Sequence, residues 1–386
     1  MKPLIKWPGG KSKEMHRFLT MIPEFDRYIE PFVGGGAVYF ALAPERAVIN
    51  DTSRDLMEFY EMVKSENPKF RYYLQLYRDS FEYLKETCDA HYDDILTLYE
   101  MYERTMQQGR KIAHLRINDY FVRQIVSDPK IMTELVKDPE RFIDEIRQQT
   151  EDKFIRTVEN QKNGKFSPED LKKNLMTGFL SGYYLYFRQV LNQIAFGQLK
   201  VEREYRCANF YFIREYCYGS MFRFNSKNAF NMPYGGVSYN TKDLKPKIQE
   251  MYSAKVQRLL ERTRLECMDF EVLLRSMELT ERDFLFLDPP HDAEDSDYGF
   301  ADQQRLAAFL ATTKAQFLLV AQDTPEVIEL YREMEGVRML TFDYLYLFNA
   351  RNRNEKNAGH VIITNLPEGE IPWIRENYSM GDLQFD

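Results

Sequence analysis

The chain has 386 residues, of which 44% are hydrophobic and 15% aromatic, and its formal net charge is −8. This length and apolar content exclude a disordered chain and are enough for one large domain with an insertion, or for two domains. The acidic balance excludes nucleic-acid binding by overall charge, so any DNA-binding surface has to be local.

The four cysteines are scattered without CxxC spacing, and no apolar run resembles a signal peptide or a membrane span. We therefore expect a reduced, cytoplasmic protein without a membrane segment. No grouping of histidine, cysteine and carboxylate residues has metal-ligand spacing, so the sequence predicts no metal site.

The first 60 residues predict an alternation of strand and helix. A strand (27–33), a glycine turn (34–36), the start of a helix (37–42) and a second strand (47–51) follow one another. Glycines after a first strand let the backbone approach a ligand, and a carboxylate after the second strand can accept hydrogen bonds from ribose hydroxyls. This favours a nucleoside cofactor over a plain tight turn. Tyr39 at the third glycine position of a dinucleotide motif argues against a dinucleotide.

Residues 61–205 predict a mainly helical insertion, with a loop near 163–165, whose Tyr and Phe stripes are typical of a core. From about residue 280 the α/β alternation returns. We predict strands at 283–288, 317–321 and 360–364, and helices from about 302 and near 326–334. The two α/β parts together predict one sheet interrupted by the insertion.

Residues 6–12 end like a phosphate-binding loop, but Ile5 occupies the position of its first glycine, which excludes that motif. A lysine and an indole beside glycines remain. They can meet a carboxylate and an adenine or sulfonium group, respectively. A purely structural role is the alternative for this segment.

Asp288-Pro-Pro-His291 follows an apolar strand. The exocyclic amine of a base is a poor nucleophile, because its lone pair is delocalised into the ring. A carboxylate and a rigid prolyl carbonyl can accept its N–H bonds and favour attack on a sulfonium methyl, and a flat ring after them can stack on a flipped base. An ordinary strand-to-loop ending is the alternative.

These segments, in this order, resemble the Dam-type family of DNA N6-adenine methyltransferases. The family pattern K-W-x-G-G-K, E-P-F-x-G-G-G, N-D and D-P-P-Y is matched by residues 6–11, 30–36, 50–51 and 288–290. Residues 221–235 resemble the family's R-[YF]-N…F-N-x-P-[FY]-G segment, a β-hairpin against DNA.

The resemblance implies an α/β fold, a Rossmann-like methyltransferase sheet with an inserted, mainly helical target-recognition domain. The catalytic domain would comprise residues 1–60 and 206–386, including a DNA-contacting hairpin near 218–236, and the insertion residues 61–205. The implied cofactor is S-adenosylmethionine, with S-adenosylhomocysteine as product. The cofactor-binding residues implied are Trp7, Lys11, Phe32, Gly34, Gly35, Gly36, Asp51, Asp269, Phe270 and Asp288.

The implied partner is DNA, in a bacterial or phage-encoded protein, and a restriction or defence-system partner stays open. Arg223 matches an arginine that reads guanine, and Met221 could wedge against the base pair. The DNA-binding residues implied are Met221, Arg223, Asn225, Asn231 and Tyr234, and the catalytic residues are Asp288, Pro289, Pro290 and His291. Basic clusters at 162–173 and 242–247, with Arg351 and Arg353, are candidate phosphate contacts or solvated charge.

Two residues depart from the family pattern. His291 replaces a tyrosine, so that activity could be retained, tuned by pH or lost. His360 replaces a glutamate, and we interpret it as a surface residue at a strand end. The resulting hypothesis is an adenine N6 methyltransferase. The alternatives are cytosine N4 methylation, or a catalytically impaired protein that binds cofactor and recognises DNA.

Overall fold

The computed structural model describes residues 1–11, 14–108, 119–162, 164–290, 298–345 and 357–367. The chain forms two compact units. The first contains the residues up to Ser65 and those from Met251 onward, and the second is Glu66–Glu250. Within the described ranges, no helix has the length and apolar content needed to cross a membrane.

The first unit is built on a mixed sheet whose described strands are β1 (Arg27–Glu30), β2 (Ala47–Asn50), β3 (Thr263–Glu266), β4 (Asp283–Leu287), β5 (Gln316–Gln322), β6 (Arg338–Leu345) and β7 (Asn357–Thr364). Their order is β3-β2-β1-β4-β5-β7-β6. The first five are parallel, whereas β7 runs antiparallel to both β5 and β6. The strand order reverses direction between β1 and β4, and ligands of open α/β sheets bind at the carboxyl ends beside such a point.

Helices flank this sheet within the first unit: α1 (Ala37–Leu42), α2 (Arg54–Lys64), α10 (Ala254–Glu261), α11 (Phe270–Arg275), α12 (Phe300–Leu310) and α13 (Pro325–Tyr331). Every residue of β2 and β4 is buried, and most are apolar, as parallel strands flanked by helices require. On one face, Leu285 and Leu319 pack with Leu273 of α11 and Leu306 of α12 in one core. The predicted interrupted sheet is confirmed, and β3 and β6 add to the strands expected from sequence.

The second unit is helical. Its described helices are α3 (Pro68–Ala90), α4 (Tyr92–Gln107), α5 (Asp119–Val126), α6 (Pro139–Gln161), α7 (Pro168–Ala195), α8 (Arg203–Tyr216) and α9 (Lys245–Met251), which ends at the unit boundary. Prolines at the first helical position and side-chain caps from Asn67, Asp138 and Ser167 begin three of them. Helices α6 and α7 pack so closely at Gly182 that a Cβ there would lie 2.4 Å from Ile146 Cα. The absence of a side chain at Gly182 permits this approach.

The aromatic stripes of the insertion form the core of this unit. Tyr77, Phe81, Tyr183 and Phe212 are fully buried and pack ring against ring. The expectation that these stripes are core is confirmed.

The unit boundary differs from the predicted domain boundary. We placed 206–250 in the catalytic domain, whereas the structure groups these residues with the helical insertion. The reason is local packing: Phe212 of α8 lies against Tyr77 of α3 and Phe187 of α7, and the segment after α8 is hydrogen-bonded to α7.

Candidate functional site

A tight turn follows β1 in the first unit. Gly34 and Gly36 have positive φ angles of +48° and +69°, which side-chain-bearing residues rarely adopt. A Cβ on Gly34 would lie 2.7 Å from Trp7 Cδ1, so the indole packs directly on the turn. The turn is also held from below, because the Tyr60 hydroxyl donates to the Gly34 carbonyl (3.0 Å). Backbone and indole therefore meet at the carboxyl end of β1.

Asp51 follows β2 and lies beside this turn. The Gly34 N–H donates to Asp51 Oδ2 (3.1 Å), and the Ser53 N–H donates to Oδ1 (2.8 Å). Burial raises the pKa of Asp51, and the two backbone hydrogen bonds oppose that shift. Both oxygens are thus oriented by the backbone, with lone pairs left to accept from a ligand hydroxyl.

Asn50 joins three strand ends. Its Nδ2 donates to the Pro31 carbonyl (2.9 Å) and to the Met268 carbonyl (3.0 Å), while its Oδ1 accepts from the Met268 N–H (3.0 Å). Asn50 is fully buried. This residue fixes the loops after β1 and β3 on either side of Asp51.

Asp269 is the N-cap of α11. Its Oδ1 accepts from the N–H groups of Glu271 (3.0 Å) and Val272 (3.2 Å), and from Arg305 Nη2 (2.6 Å). Burial acts to raise the pKa of Asp269, but these hydrogen bonds outweigh it and hold the pKa below its ordinary value. Asp269 is therefore a fixed anionic acceptor.

Three aromatic rings lie together next to Asp269. The ring centroids of Phe32 and Phe270 are 5.3 Å apart, and Tyr298 is 5.6 Å from Phe32 and 6.0 Å from Phe270. The Arg305 guanidinium lies 4.9 Å from the Phe270 centroid. Sequence reasoning identified Phe32 and Phe270 but missed Tyr298 and Arg305, which no motif marks.

Lys11 lies on the carboxylate that ends β4. Its Nζ is 2.9 Å from Asp288 Oδ1 and donates to the Gly9 carbonyl (3.1 Å). The side chains of Lys11 and Asp288 are 3% and 17% exposed. Sequence comparison placed Lys11 on the cofactor, whereas the structure pairs it with the predicted catalytic carboxylate. Pro289 is buried and Pro290 exposed, and His291 lies outside the described residues.

Glu30 is the last residue of β1 and lies close enough to Asp288 and Asp51 to interact with them electrostatically. It is 2% exposed, and the Tyr28 hydroxyl donates to its Oε2 (2.9 Å). Burial raises the pKa of Glu30 well above its ordinary value, the Tyr28 hydrogen bond opposes this, and the charges of Asp288 and Asp51 add to it. Three carboxyl groups are therefore electrostatically coupled at this edge of the sheet.

The expectation for His360 was wrong. This histidine is fully buried in β7, and its Nδ1 lies 3.0 Å from Glu14 Oε2. It pairs with Gln322, the last residue of β5, in the antiparallel register. A strand-end position suggested exposure, but the antiparallel return of β7 places residue 360 beside the carboxyl end of a central strand.

The predicted hairpin belongs to the second unit. Antiparallel bridges join Phe224 to Phe230 and Cys217 to Tyr234, and the Asn231 N–H donates to the Arg223 carbonyl (2.9 Å). The Asn225 side chain accepts from the N–H groups of residues 227 (2.9 Å) and 229 (3.1 Å) and so shapes the turn. Arg223 and Asn225 are exposed, and Met221 and Asn231 half-buried.

Tyr234, predicted to contact DNA, faces the interior. It is 5% exposed, stacks on Tyr216 and donates to Asn240 Oδ1 (3.2 Å). The sequence pattern could not show this, because the partner rings, Tyr184 and Tyr216, come from α7 and α8 and lie outside the motif.

Helix α7 anchors the second half of the hairpin. The Tyr184 hydroxyl and Arg188 Nη1 each donate to the Met232 carbonyl (3.0 Å). Asn192 donates to the Phe230 carbonyl (3.0 Å) and accepts from the Phe230 N–H (2.8 Å). The anchoring residues are four apart and share one face of the helix.

The candidate phosphate contacts are largely paired within the protein. Lys242 and Lys247 bind the buried Glu215 at 2.6 and 2.8 Å. Lys172 binds Asp89 (2.5 Å), and Lys173 binds Glu169 (2.6 Å). Arg351 and Arg353 fall in a part of the chain that the structure does not describe. Over the ranges that it does describe, no group of three histidine, cysteine or carboxylate side chains could hold a metal ion.

The family model of the D12 class N6 adenine-specific DNA methyltransferases matches residues 7–107 and 105–346. The chain belongs to this family. It is 23% identical to the type II methyltransferase M.CviBI of Paramecium bursaria Chlorella virus NC1A over 377 residues, 95% of this chain and 100% of that protein. It is also 23% identical to the type II methyltransferase M.MjaIII of Methanocaldococcus jannaschii over 330 residues, 80% of this chain and 79% of that protein.

A third relative carries the base in its name. The chain is 22% identical to the DNA N-6-adenine-methyltransferase of Escherichia phage P1 over 345 residues, 86% of this chain and 31% of that longer protein. The family and these relatives identify the protein as a DNA adenine N6 methyltransferase. They support adenine as the target base over the cytosine N4 alternative.

Proposed function

We propose that this methyltransferase transfers the methyl group of S-adenosylmethionine to N6 of a flipped-out adenine, with Asp288 as the group that holds the amine. The observation that carries the proposal is the Lys11–Asp288 pair at the end of β4, in the same compact unit as the glycine turn and Asp51. These are the groups that a sulfonium nucleoside and an exocyclic amine require.

The residues present fit S-adenosylmethionine. Positive φ angles at Gly34 and Gly36 let the backbone approach a ligand, and Asp51 presents oriented oxygens for ribose hydroxyls. Asp269 would accept a hydrogen bond from the amino group of the cofactor's adenine, and the neighbouring rings of Phe32 and Phe270 would contact that base. When bound, S-adenosylmethionine supplies an electrophilic methyl group on a positively charged sulfur.

The chain's own contribution to transfer is positional and electrostatic. Asp288 accepts a hydrogen bond from one N–H group of the target amine, and the Pro289 carbonyl accepts a hydrogen bond from its second N–H group. These two hydrogen bonds direct the nitrogen lone pair toward the methyl group. The Lys11 ammonium lies 2.9 Å from Asp288 Oδ1 and holds this carboxylate in a defined position. After transfer the amine proton passes to an Asp288 carboxylate oxygen and then to solvent.

The helical unit is the proposed target-recognition domain. Its hairpin presents Arg223, Met221, Asn225 and Asn231 on or near the surface, and the Arg223 guanidinium can bind guanine O6 and N7 in the major groove. Tyr234 supports the hairpin from inside. The exposed Arg223 lies on this hairpin, so a chain with a net charge of −8 has a local basic group there for binding DNA.

The test is methyl transfer from labelled S-adenosylmethionine to unmodified DNA. We expect Asp288→Ala to abolish transfer with cofactor affinity mostly intact, because Asp288 acts on the target base. Asp51→Ala should weaken cofactor binding first. Asp26→Ala, which breaks an exposed ion pair with Arg282, is the control and should leave both properties unchanged. Equal loss of cofactor binding and transfer in both site variants would refute this division of roles.

Two relatives are named type II methyltransferases. We extend this to a proposal that methylation at the recognised site blocks a restriction enzyme of the same specificity. Sequencing N6-methyladenine in DNA from cells that express the protein would give the site. DNA so modified should then resist an endonuclease that cuts this sequence, and complete digestion would refute the proposal.

A further inference from the structure

The N-terminal segment, defined as residues 4–11 and 14, contacts the carboxyl edge of the sheet at three places. Trp7 packs on Gly34 after β1, and a Cβ on Gly35 would lie 3.2 Å from the Ile5 carbonyl. Lys11 meets Asp288 after β4. Glu14 meets His360, which is paired with the last residue of β5. The segment therefore bridges the ends of three neighbouring strands.

The third contact is buried and polar. His360 is fully buried and Glu14 is 4% exposed, and Glu14 Oε2 lies 3.0 Å from His360 Nδ1. The two residues are 346 positions apart in the chain. A buried carboxylate is costly unless it is hydrogen-bonded, so this pair specifies where the N-terminal segment docks.

Glu14 is connected to Lys11 through the backbone. The Glu14 N–H donates to the Lys11 carbonyl (2.9 Å), so that a direct hydrogen bond joins the backbones of the two residues. Lys11 then reaches Asp288 through a side chain with four rotatable carbon–carbon bonds. Such a side chain holds a fixed ammonium position only if its own backbone is fixed.

We propose that the Glu14–His360 pair is a positioning element of the methyl-transfer reaction. It fixes the backbone of Lys11, and through Lys11 it fixes the carboxylate of Asp288. Neither residue touches the base or the methyl donor. The proposal rests on the proposed function of Asp288.

The physical basis is the steep dependence of transfer on geometry. A displacement of about 1 Å at a reacting group can lower a rate by roughly a hundredfold. Binding of the methyl donor depends instead on the glycine turn with Trp7 packed on it, on Asp51 and on Asp269, and each of these is held by contacts other than those of residue 360. Loss of the pair should therefore lower the rate of transfer while leaving donor affinity nearly unchanged.

The main variant replaces both partners, Glu14→Leu with His360→Leu. Removing both members of a buried polar pair leaves neither one without a partner, so the fold is retained. We expect single-turnover transfer to fall on the order of ten- to a hundredfold. Affinity for S-adenosylmethionine, measured by calorimetry, should stay within about twofold, and the melting temperature should change little.

Two further variants separate positioning from general stability. His360→Gln keeps a side-chain donor for Glu14 and should retain most of the wild-type rate. The exchanged pair, Glu14→His with His360→Glu, should restore much of the rate lost in the double leucine variant. Asp26→Asn, in the exposed pair with Arg282 before β1 and β4, is the control and should leave the rate unchanged.

The outcomes distinguish this inference from the proposed function. If Asp288→Ala abolishes transfer but the double leucine variant transfers at the wild-type rate, the positioning role is refuted and the role of Asp288 stands. A fall in donor affinity that matches the fall in rate would also refute it, because the pair would then act on cofactor binding. If Asp288→Ala still transfers methyl groups, the proposed function itself fails.

Discussion

Gly34→Ala is the substitution that most directly tests the first contact of the N-terminal segment. Gly34 has φ of +48°, and a Cβ built there meets Trp7 at 2.7 Å from Cδ1 and 3.2 Å from Nε1. Real Cβ atoms do not approach carbon so closely, so the indole or the turn has to move. The same turn carries the N–H that orients Asp51.

The magnitude has two parts. The left-handed backbone conformation costs an alanine about 1–2 kcal/mol, which lowers stability. The steric part acts on the site: moving Trp7 removes one wall of the proposed donor pocket, and moving the turn releases the hydrogen bond to Asp51. We expect affinity for S-adenosylmethionine to fall at least about tenfold, equivalent to about 1.4 kcal/mol.

Gly336→Ala is the matched control. Gly336 has φ of +74°, but an added Cβ there meets nothing within 4 Å, so this variant carries the backbone cost without the collision. Urea unfolding should show a loss of stability in both variants, with a larger loss in Gly34→Ala, whereas calorimetric titration should show weakened donor binding only in Gly34→Ala. Equal donor affinity in the two variants would refute the role of Trp7 and the turn.

Two predictions concern the helical unit. Asn192→Leu removes both hydrogen bonds to Phe230 and should weaken binding of cognate DNA, measured by fluorescence anisotropy, while S-adenosylmethionine affinity stays unchanged. Asn192→Asp keeps the acceptor and should lose less. Burial acts to raise the pKa of Glu215, but two lysine ammonium groups outweigh it and lower the pKa to about 2, below the 4.5 of an exposed glutamate. Its stabilisation is therefore present above about pH 4.5 and is lost as pH falls toward 2. Glu215→Gln should lower the free energy of unfolding at pH 7, by chemical denaturation, with a difference that shrinks below pH 4.5, and an unchanged difference would contradict this.

The parts of the site that are local in sequence could be predicted. A strand, a glycine turn and a helix follow each other within about fifteen residues, and parallel strands place Asp51 beside that turn because their carboxyl ends share an edge. The position of Asp288 could be predicted for the same reason, because it directly follows β4, which is parallel to β1. The sequence also showed that Lys11 can meet a carboxylate, but chain spacing gives no information about which carboxylate is closest.

The parts that depend on long-range packing could not be predicted. Tyr298, two residues before α12, contacts Phe32 and Phe270, and these contacts join segments that are far apart in the chain. Tyr234 is buried by rings from helices that precede it by 18 residues or more. In both cases the motif gives the residue type, while exposure is decided by partners outside the motif.

His360 shows why a departure from a family pattern has to be interpreted together with its spatial partner. Replacement of a glutamate by histidine, considered alone, removes a carboxylate from β7. In the structure a carboxylate is present at this place, supplied by Glu14 at 3.0 Å from the ring. In this chain the carboxylate therefore comes from the N-terminal segment and not from β7, and its contact with His360 joins the N-terminal segment to β7.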